Sequence, residues 1–284
     1  MTPRWFLKRA LKWGVEWTTE FTGGGLIYRN SNYFKTGYRI LTYHRIEPNP
    51  TDSHSLKIQH FRDHIAFLKD HHPVVSLSEM VLGIQGKRKI EAGSVSITFD
   101  DGYAEAAGVV AEILDKFDMT ASFFVITGIL DGKQGGYQGV NYLSWEKIRQ
   151  LKKGGFLIGS HTITHRSLGA LTLPNVQLEL GESFDRLETE LGVPPDGLSF
   201  PFGTYRDFSQ DVISVARSCK YPYAVTAIHG LNHTGNDLFR LQRTTITAGD
   251  GLNTFKRIMK GALDPWRFVD EWGYRLQRPS SSLE

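Results

Sequence analysis

Residues 94–103, SVSITFDDGY, decide the fold of this chain. The run from Val95 to Phe99 alternates apolar and polar residues and is rich in β-branched side chains, which is typical of a strand. It ends at two adjacent carboxylates, Asp100 and Asp101, and then at a glycine that indicates an abrupt turn. Two acids at one strand end repel each other unless a cation or a shared proton intervenes. The stretch therefore predicts a metal site, with one aspartate as ligand and the other as base.

Similar short apolar runs, each followed by a helical pattern, lie on both sides of this stretch. Strands of four to six residues that alternate with helices indicate parallel βαβ units, and seven or eight such units predict a closed barrel. In barrels the chemistry lies at the C-terminal ends of the strands. His44, the aspartate pair, His161 and the turn at 200–203 all follow strand patterns, so we expect them at one edge.

Composition excludes several classes of protein. The chain has 284 residues, a formal net charge of +3 and one cysteine, Cys219. A single cysteine excludes a Cys-rich zinc site and fits a reducing compartment, and the small net charge gives no reason to expect a nucleic acid partner. No apolar run reaches about 20 residues, and charges interrupt the N-terminal segment. We therefore expect a cytoplasmic protein, while the oligomeric state stays open.

The segment 4–17, RWFLKRALKWGVEW, has helical spacing. It carries an aromatic stripe beside a basic one, formed by Phe6, Ala10, Trp13 and Trp17 and by Arg4, Lys8 and Lys12. Such a helix suits a membrane interface, which predicts peripheral contact with the inner membrane surface. The alternative is a helix docked on its own protein with the basic residues in water.

Histidine pairs supply the missing ligands. His161 and His165 follow the apolar strand FLIGS (156–160), and their i, i+4 spacing would let a helical turn hold one metal between two imidazoles. The pair His60/His64 has the same spacing but is interpreted as surface histidines. His229 and His233 lie in a loop, and a role at the rim of the site is only the alternative interpretation for them. Two histidines with one carboxylate also occur in iron oxygenases, whose all-β fold the β/α alternation contradicts.

Three motifs, TFDDGY (98–103), SHTITH (160–165) and SFPFG (199–203), resemble in this order the polysaccharide deacetylase family, the NodB-homology domain of the carbohydrate esterases. LSWEKI (143–148) extends the resemblance, which covers about residues 37–250. It implies a distorted (β/α) barrel of seven or eight strands over 37–250, between an N-terminal helix and connector at 1–36 and a C-terminal helix and tail at 251–284.

The resemblance also implies site roles. Asp101, His161 and His165 would hold a divalent metal, with Asp100 as catalytic base. Zn²⁺ is the expected ion, and Co²⁺, Mn²⁺, Ni²⁺ or Fe²⁺ would also suit these ligands. Two departures matter, because no arginine precedes SFPFG and the family's late Leu-x-His motif is absent.

Two other stretches resemble one branch of the family, the circularly permuted poly-N-acetylglucosamine deacetylases. LTYHRI (41–46) resembles its early Tyr-His motif, which would make His44 the general acid rather than a structural histidine. FRLQRTTI (239–246) resembles its late strand, which would make Arg243 the residue that orients Asp100, with Arg240 as the fallback.

The implied function is hydrolysis of an N-acetyl group from an amino sugar. A metal-bound water would attack the acetamide carbonyl, Asp100 would take its proton, and His44 would protonate the departing amine. The N–H of Phe202, just after Pro201, would help to hold the oxyanion. Aromatic residues are expected to stack on sugar faces, namely Tyr103, Tyr142, Trp145 and Phe202.

The substrate stays open between a polysaccharide and its lipid-linked precursor. Two alternative functions remain: an inactive carbohydrate-binding protein on the same fold, and a deacylase of a nucleotide-linked sugar or other small amide.

Overall fold

The computed structural model describes residues 10–15, 17–19, 23–50, 52–136 and 139–273. Nine strands are assigned in this part of the chain: β1 (Arg39–Tyr43), β2 (Arg45–Glu47), β3 (Ser55–Lys57), β4 (Val95–Phe99), β5 (Ser122–Val125), β6 (Leu157–Ser160), β7 (Leu198–Ser199), β8 (Ala224–Val225) and β9 (Thr244–Thr245). The α-helices described from end to end are Gly23–Asn30, Asn32–Thr36, Ile58–His71, Leu77–Ile84, Val109–Lys116, Thr127–Leu130, Trp145–Lys153, Leu173–Leu191, Gln210–Ser218, Leu252–Met259 and Trp266–Gly273.

Seven of these strands form one parallel sheet in the order β8-β7-β6-β5-β4-β1-β9, while β2 and β3 pair separately. The sheet curls into a half-barrel with helices around it, which confirms the predicted distorted (β/α) barrel. β1 lies between β4 and β9, so the first strand of the chain is a neighbour of the last.

The strands are buried on both faces, as parallel strands under helices must be. Alternate residues of a strand therefore belong to two different hydrophobic core clusters, one on each face of the sheet. Leu41 and Phe123 pack outward against the surrounding helices, whereas Ile40 and Phe124 pack with the helix Leu77–Ile84. Side chains that alternate between two apolar layers fix the register of the sheet, and the register fixes which residues meet at its C-terminal edge.

Two predicted elements are shorter than expected. The sequence pattern of residues 102–117 predicts one helix, but this stretch divides at Gly108 into a 3₁₀ turn, Ala104–Ala107, and the helix Val109–Lys116. The pattern of residues 238–246 predicts one strand, but only β9 forms there, with one isolated bridge from Leu241 to Val225. The Asn232 side chain bonds the backbone N–H and C=O of Gln242, which satisfies that residue without a strand partner.

The N-terminal helical residues 10–15 and 17–19 dock on the barrel through Lys12 and Val15. Lys12 Nζ lies 2.9 Å from Asp250 Oδ2, and Val15 packs on the main core cluster. This orientation is the reverse of the one expected for a docked helix, in which the basic residues lie in water. Here Lys12 faces the protein, whereas Trp13 and Trp17 face outward. Residues 4–9 of the predicted segment, with Arg4, Phe6 and Lys8, lie outside the described residues.

A buried ion pair joins the two ends of the described chain. Arg39, at the start of β1, donates to both carboxylate oxygens of Asp264 at 2.8 and 2.9 Å, and the Tyr28 hydroxyl also donates to Asp264. Among the described residues, no helix is both long enough and apolar enough to cross a bilayer.

Candidate active site

The two aspartates meet at the C-terminal edge because the chain reverses directly after β4. Asp101 and Gly102 both have left-handed backbones, with φ of 72° and 76°. A Cβ on Gly102 would also lie 3.1 Å from the Val125 side chain, so glycine is required there. The turn leaves both carboxylates buried at 4% and 7% exposure, on the same side of the strand end.

His161 and His165 follow β6 in a loop rather than on the predicted helical turn. Thr162 and His165 have φ of 67° and 57°, which bends the loop so that the imidazole centres lie 4.8 Å apart. Glu179 holds the loop from the helix Leu173–Leu191: its carboxylate accepts from the backbone N–H groups of Ile163 and Thr164 and from the Thr164 hydroxyl.

Asp101, His161 and His165 form a cluster with the composition of a metal site, their ligand atoms all within 4.8 Å of one another. Asp101 Oδ1 lies 3.4 Å from Nε2 of each histidine. His161 Nδ1 faces the Ser199 carbonyl oxygen at 2.8 Å, so Nδ1 carries the proton and Nε2 keeps its lone pair for a metal.

An unpaired buried atom also fits a cation. Among the described residues, Asp101 Oδ1, which faces Nε2 of both histidines, has no hydrogen-bond partner although it is buried. Such an atom is costly unless something else binds nearby. One carboxylate and two imidazoles are a donor set that suits zinc and similar ions, with positions left for water and substrate.

The electrostatics of the cluster favour an anionic Asp101 beside a neutral His165. Burial raises the pKa of Asp101, but interaction with His161 and the nearby His165 and His44 lowers it well below its usual range. Burial lowers the pKa of His165 to about 4. Burial also lowers the pKa of His161, yet Asp100 and Asp101 outweigh it and raise that pKa.

Arg243 forms a two-pronged ion pair with Asp100. Its Nη1 lies 2.9 Å from Oδ1 and its Nη2 lies 2.7 Å from Oδ2, with both side chains buried. Burial raises the pKa of Asp100, but the Arg243 charge lowers it below its ordinary value, so the carboxylate stays ionised. Arg243, which directly precedes β9, thus occupies the role of the arginine that is missing from the SFPFG motif. Arg240 faces outward beside Asp237.

Two residues that the sequence did not single out complete this group. The Ser199 hydroxyl lies 3.2 Å from Asp100 Oδ2 and 3.0 Å from Arg243 Nη2, while its carbonyl holds His161. Thr98 receives a further Arg243 bond at 3.3 Å. Ser199 therefore connects the base to the histidine cluster. The only available signal is its position in the SFPFG motif.

His44 lies directly after β1, half-buried, and its ring centre is 5.1 Å from that of His54. Its Nδ1 is buried and has no hydrogen-bond partner within the described ranges. Its charge contributes to lowering the pKa of Asp100 and Asp101, behind burial and the groups named above. The structure thus brings His44 to the edge that carries the aspartates.

The predicted substrate-contact residues lie in different surroundings, some beside the histidine cluster and others packed against neighbouring aromatic side chains. Phe202 has φ of 60° and its ring centre lies 4.9 Å from that of His165, while Pro201 is buried just before it. Tyr103 is buried and stacks on Tyr142 at 5.2 Å.

Trp145 is engaged with protein groups on the flank of the barrel. Its indole N–H donates to Asp131 at 2.8 Å, and the Arg186 guanidinium lies over its ring at 4.8 Å. These contacts give it a packing role, and sugar stacking by Trp145 stays a prediction.

The remaining histidine pairs form no comparable cluster in the described residues. The expectation of surface histidines at 60 and 64 is wrong for His64, which is fully buried and stacked on Phe255 at 3.9 Å. The spacing of its helix explains this, since His64 continues the apolar stripe of Phe61, Ile65 and Leu68. His229 is buried against Asp270.

Comparison with known proteins bears on the family and the fold of the chain. Residues 87–224 match the model of the polysaccharide deacetylase family. The protein YxkH of Bacillus subtilis (strain 168), which is named after the polysaccharide deacetylases, is 27% identical over 213 residues, covering 74% of this chain and 71% of that protein.

Two solved structures share the fold. The deacetylase PplD of Streptococcus pyogenes, in complex with acetate, has a TM-score of 0.70 and 22% identity, covering 78% of this chain and 98% of that one. IcaB from Ammonifex degensii has a TM-score of 0.70 and 20% identity, covering 80% of this chain and 97% of that one.

Glu179→Gln should weaken metal binding by about ten- to hundredfold, because an amide cannot accept all the bonds that hold the histidine loop. Calorimetric titration of the metal-free chain with Zn²⁺ measures the change. Glu182→Gln, an exposed change on the same helix, is the matched control. Equal affinities for the two variants would show that Glu179 does not position the histidines.

Proposed function

We propose that this chain, which carries a polysaccharide deacetylase domain, hydrolyses the N-acetyl group of an amino sugar in a metal-dependent reaction. The observation that carries the proposal is the juxtaposition at one strand end of an ionised base and a ligand set. Asp100 is held by Arg243 on one side, and its neighbour Asp101 belongs to the histidine cluster on the other.

Asp101, His161 and His165 would hold the divalent metal, most plausibly Zn²⁺. When bound, such an ion polarises an amide carbonyl and favours attack by water. Asp100 accepts the proton of the attacking water, since Arg243 occupies its far edge and keeps it ionised. The backbone N–H of Phe202 would bind the developing oxyanion.

His44 would complete the reaction. The C–N bond of the amide breaks as the new C–O bond forms, and the departing nitrogen is too basic to leave without a proton. A half-buried imidazole at this edge can deliver that proton, and the products are acetate and a free amine.

A polysaccharide or its lipid-linked precursor is the proposed substrate. The family match supports an N-acetylated carbohydrate in general, and Phe202, whose ring centre lies 4.9 Å from that of His165, offers aromatic surface beside the ligands. A cytoplasmic location stays a prediction. Acetate release across N-acetylated oligosaccharides, lipid-linked sugars and nucleotide sugars distinguishes these substrates, and no release from any of them with metal supplied would favour the binding-protein alternative.

Asp100→Asn should lower kcat by about 10²–10⁴-fold but leave Zn²⁺ binding intact, because only the base is lost. His161→Ala should lose both activity and metal. Acetate release and metal content of the purified chain are measured together, with the exposed change Asp237→Asn as control. Near-wild-type turnover by Asp100→Asn would overturn the base assignment.

Arg243→Met should move the acid limb of the kcat/KM profile to higher pH. Burial raises the pKa of Asp100 and Arg243 is the largest influence that lowers it, so removal of the guanidinium raises this pKa. A base is active only above its pKa, hence the direction of the shift. Arg240→Met, which changes an arginine outside the site, should leave the profile in place. An unshifted limb in Arg243→Met would contradict the assigned role.

His44→Ala should lower kcat on the order of a hundredfold, as expected for a lost general acid. The loss should be smaller for substrates with a better leaving group, since these depend less on protonation. His233→Ala is the control, because that ring packs on Tyr33 at 4.3 Å. An unchanged rate in His44→Ala would assign the acid to another residue.

A further inference from the structure

Helices at both ends of the described chain turn polar side chains to the barrel and expose large apolar ones, although Val15 and Trp266 also pack on the main core. Lys12 binds the buried Asp250, while Trp13 and Trp17 on the same helical segment are 56% and 47% exposed. A helix that docks on its own protein ordinarily does the reverse, with its apolar stripe inside.

The helix Gly23–Asn30 repeats this inversion. Its Tyr28 hydroxyl donates to Asp264 at 2.8 Å and Arg29 Nε donates to the Lys260 carbonyl at 3.1 Å. Leu26 and Ile27 are 65% and 74% exposed.

The helix Trp266–Gly273 repeats it again. Asp270 faces the protein and accepts from the backbone N–H of His229 at 2.9 Å, whereas Phe268 and Trp272 are 56% and 69% exposed. We call the six exposed side chains the terminal patch: Trp13, Trp17, Leu26, Ile27, Phe268 and Trp272.

The members of the patch belong to neighbouring elements. A Cβ placed on Gly25 would lie 1.9 Å from the Thr19 carbonyl oxygen, so the first two helical segments meet end to end. Arg267 Nη1 lies 3.4 Å from the Tyr33 hydroxyl, which connects the third helix to the residues after the second. Several large apolar side chains exposed on adjacent helices mark a surface that binds something.

Charge identifies the occupant. The sequence before position 37 has six basic residues against two acidic ones, Glu16 and Glu20, and Lys256 and Lys260 are exposed on the adjacent segment. Tryptophan beside basic side chains is the composition of a surface that lies at the headgroup level of an anionic bilayer.

We propose that the terminal patch docks the protein on an anionic membrane surface. A series of contacts connects the first helical segment to the catalytic edge. The loop that contains Asp250, the partner of that segment, donates a hydrogen bond from Ala248 N–H to the Ser53 carbonyl oxygen. His54, the next residue, contacts His44 at that edge. Docking would hold the site near lipid-linked or membrane-associated glycans. That consequence rests on the proposed function, whereas the docking itself does not.

Vesicle co-sedimentation of the full chain tests the proposal without any turnover. The chain should bind phosphatidylcholine vesicles that contain phosphatidylglycerol, bind pure phosphatidylcholine more weakly, and lose binding as salt rises. Leu26→Ser/Ile27→Ser should weaken binding about tenfold or more, because two aliphatic side chains no longer enter the interface.

The matched control is Leu173→Ser/Leu178→Ser, a pair 47% and 49% exposed on another helix, which should leave binding unchanged. Equal loss in both double variants, or no binding to anionic vesicles, would overturn the proposal. So would a dimer on size exclusion that the patch variant dissociates, because the patch would then join two copies. Acetate release from a soluble oligosaccharide should be the same for all variants, so failure of docking and failure of the proposed function are distinguishable.

Discussion

The ion pair between Asp100 and Arg243 is the interaction on which the site depends. A carboxylate at 4% exposure is unfavourable as an anion unless it is paired, and Arg243, itself at 2% exposure, fills that need with two parallel bonds. The same guanidinium donates to the Thr226 carbonyl, Thr98 and Ser199. One buried cation therefore joins the ends of several strands and fixes the direction in which the base points, while Ser199 extends this order to His161.

Several site residues have backbone conformations that their side chains disfavour. Of the six non-glycine residues with positive φ in the described chain, four lie in the site: Asp101, Thr162, His165 and Phe202. Each such conformation costs on the order of 1–3 kcal/mol and persists only where the surroundings impose it. Here the surroundings are the Glu179 carboxylate under the histidine loop and the tight turn after β4. Contacts within the protein thus hold these conformations, and sequence periodicity carries no sign of them.

Whether the sequence predicted a contact depends on how far apart its two partners are along the chain. Alternation in SVSITF and in similar runs predicted the barrel, because period-two patterns are local. The aspartate and histidine pairs were found since they adjoin strand ends. Ser199 and Thr98 were missed because their contacts join distant strands. Glu179 and His64 could have been found from the sequence. Each is a polar residue at a position that belongs to the apolar stripe of its helix, which predicts that it is buried. The short β9 was not predictable, because it depends on the Asn232 side chain.

The position of β1 between β4 and β9 has a consequence for how the molecule forms. Leu41 pairs with Thr244, so the chain must close a loop across nearly its whole described length before the sheet is complete. The entropy of such closure grows only slowly with length, yet non-local pairing of this kind slows folding. During synthesis the base would remain without its arginine until the last strand emerges. Catalytic competence and completion of the fold would then arise in the same late event.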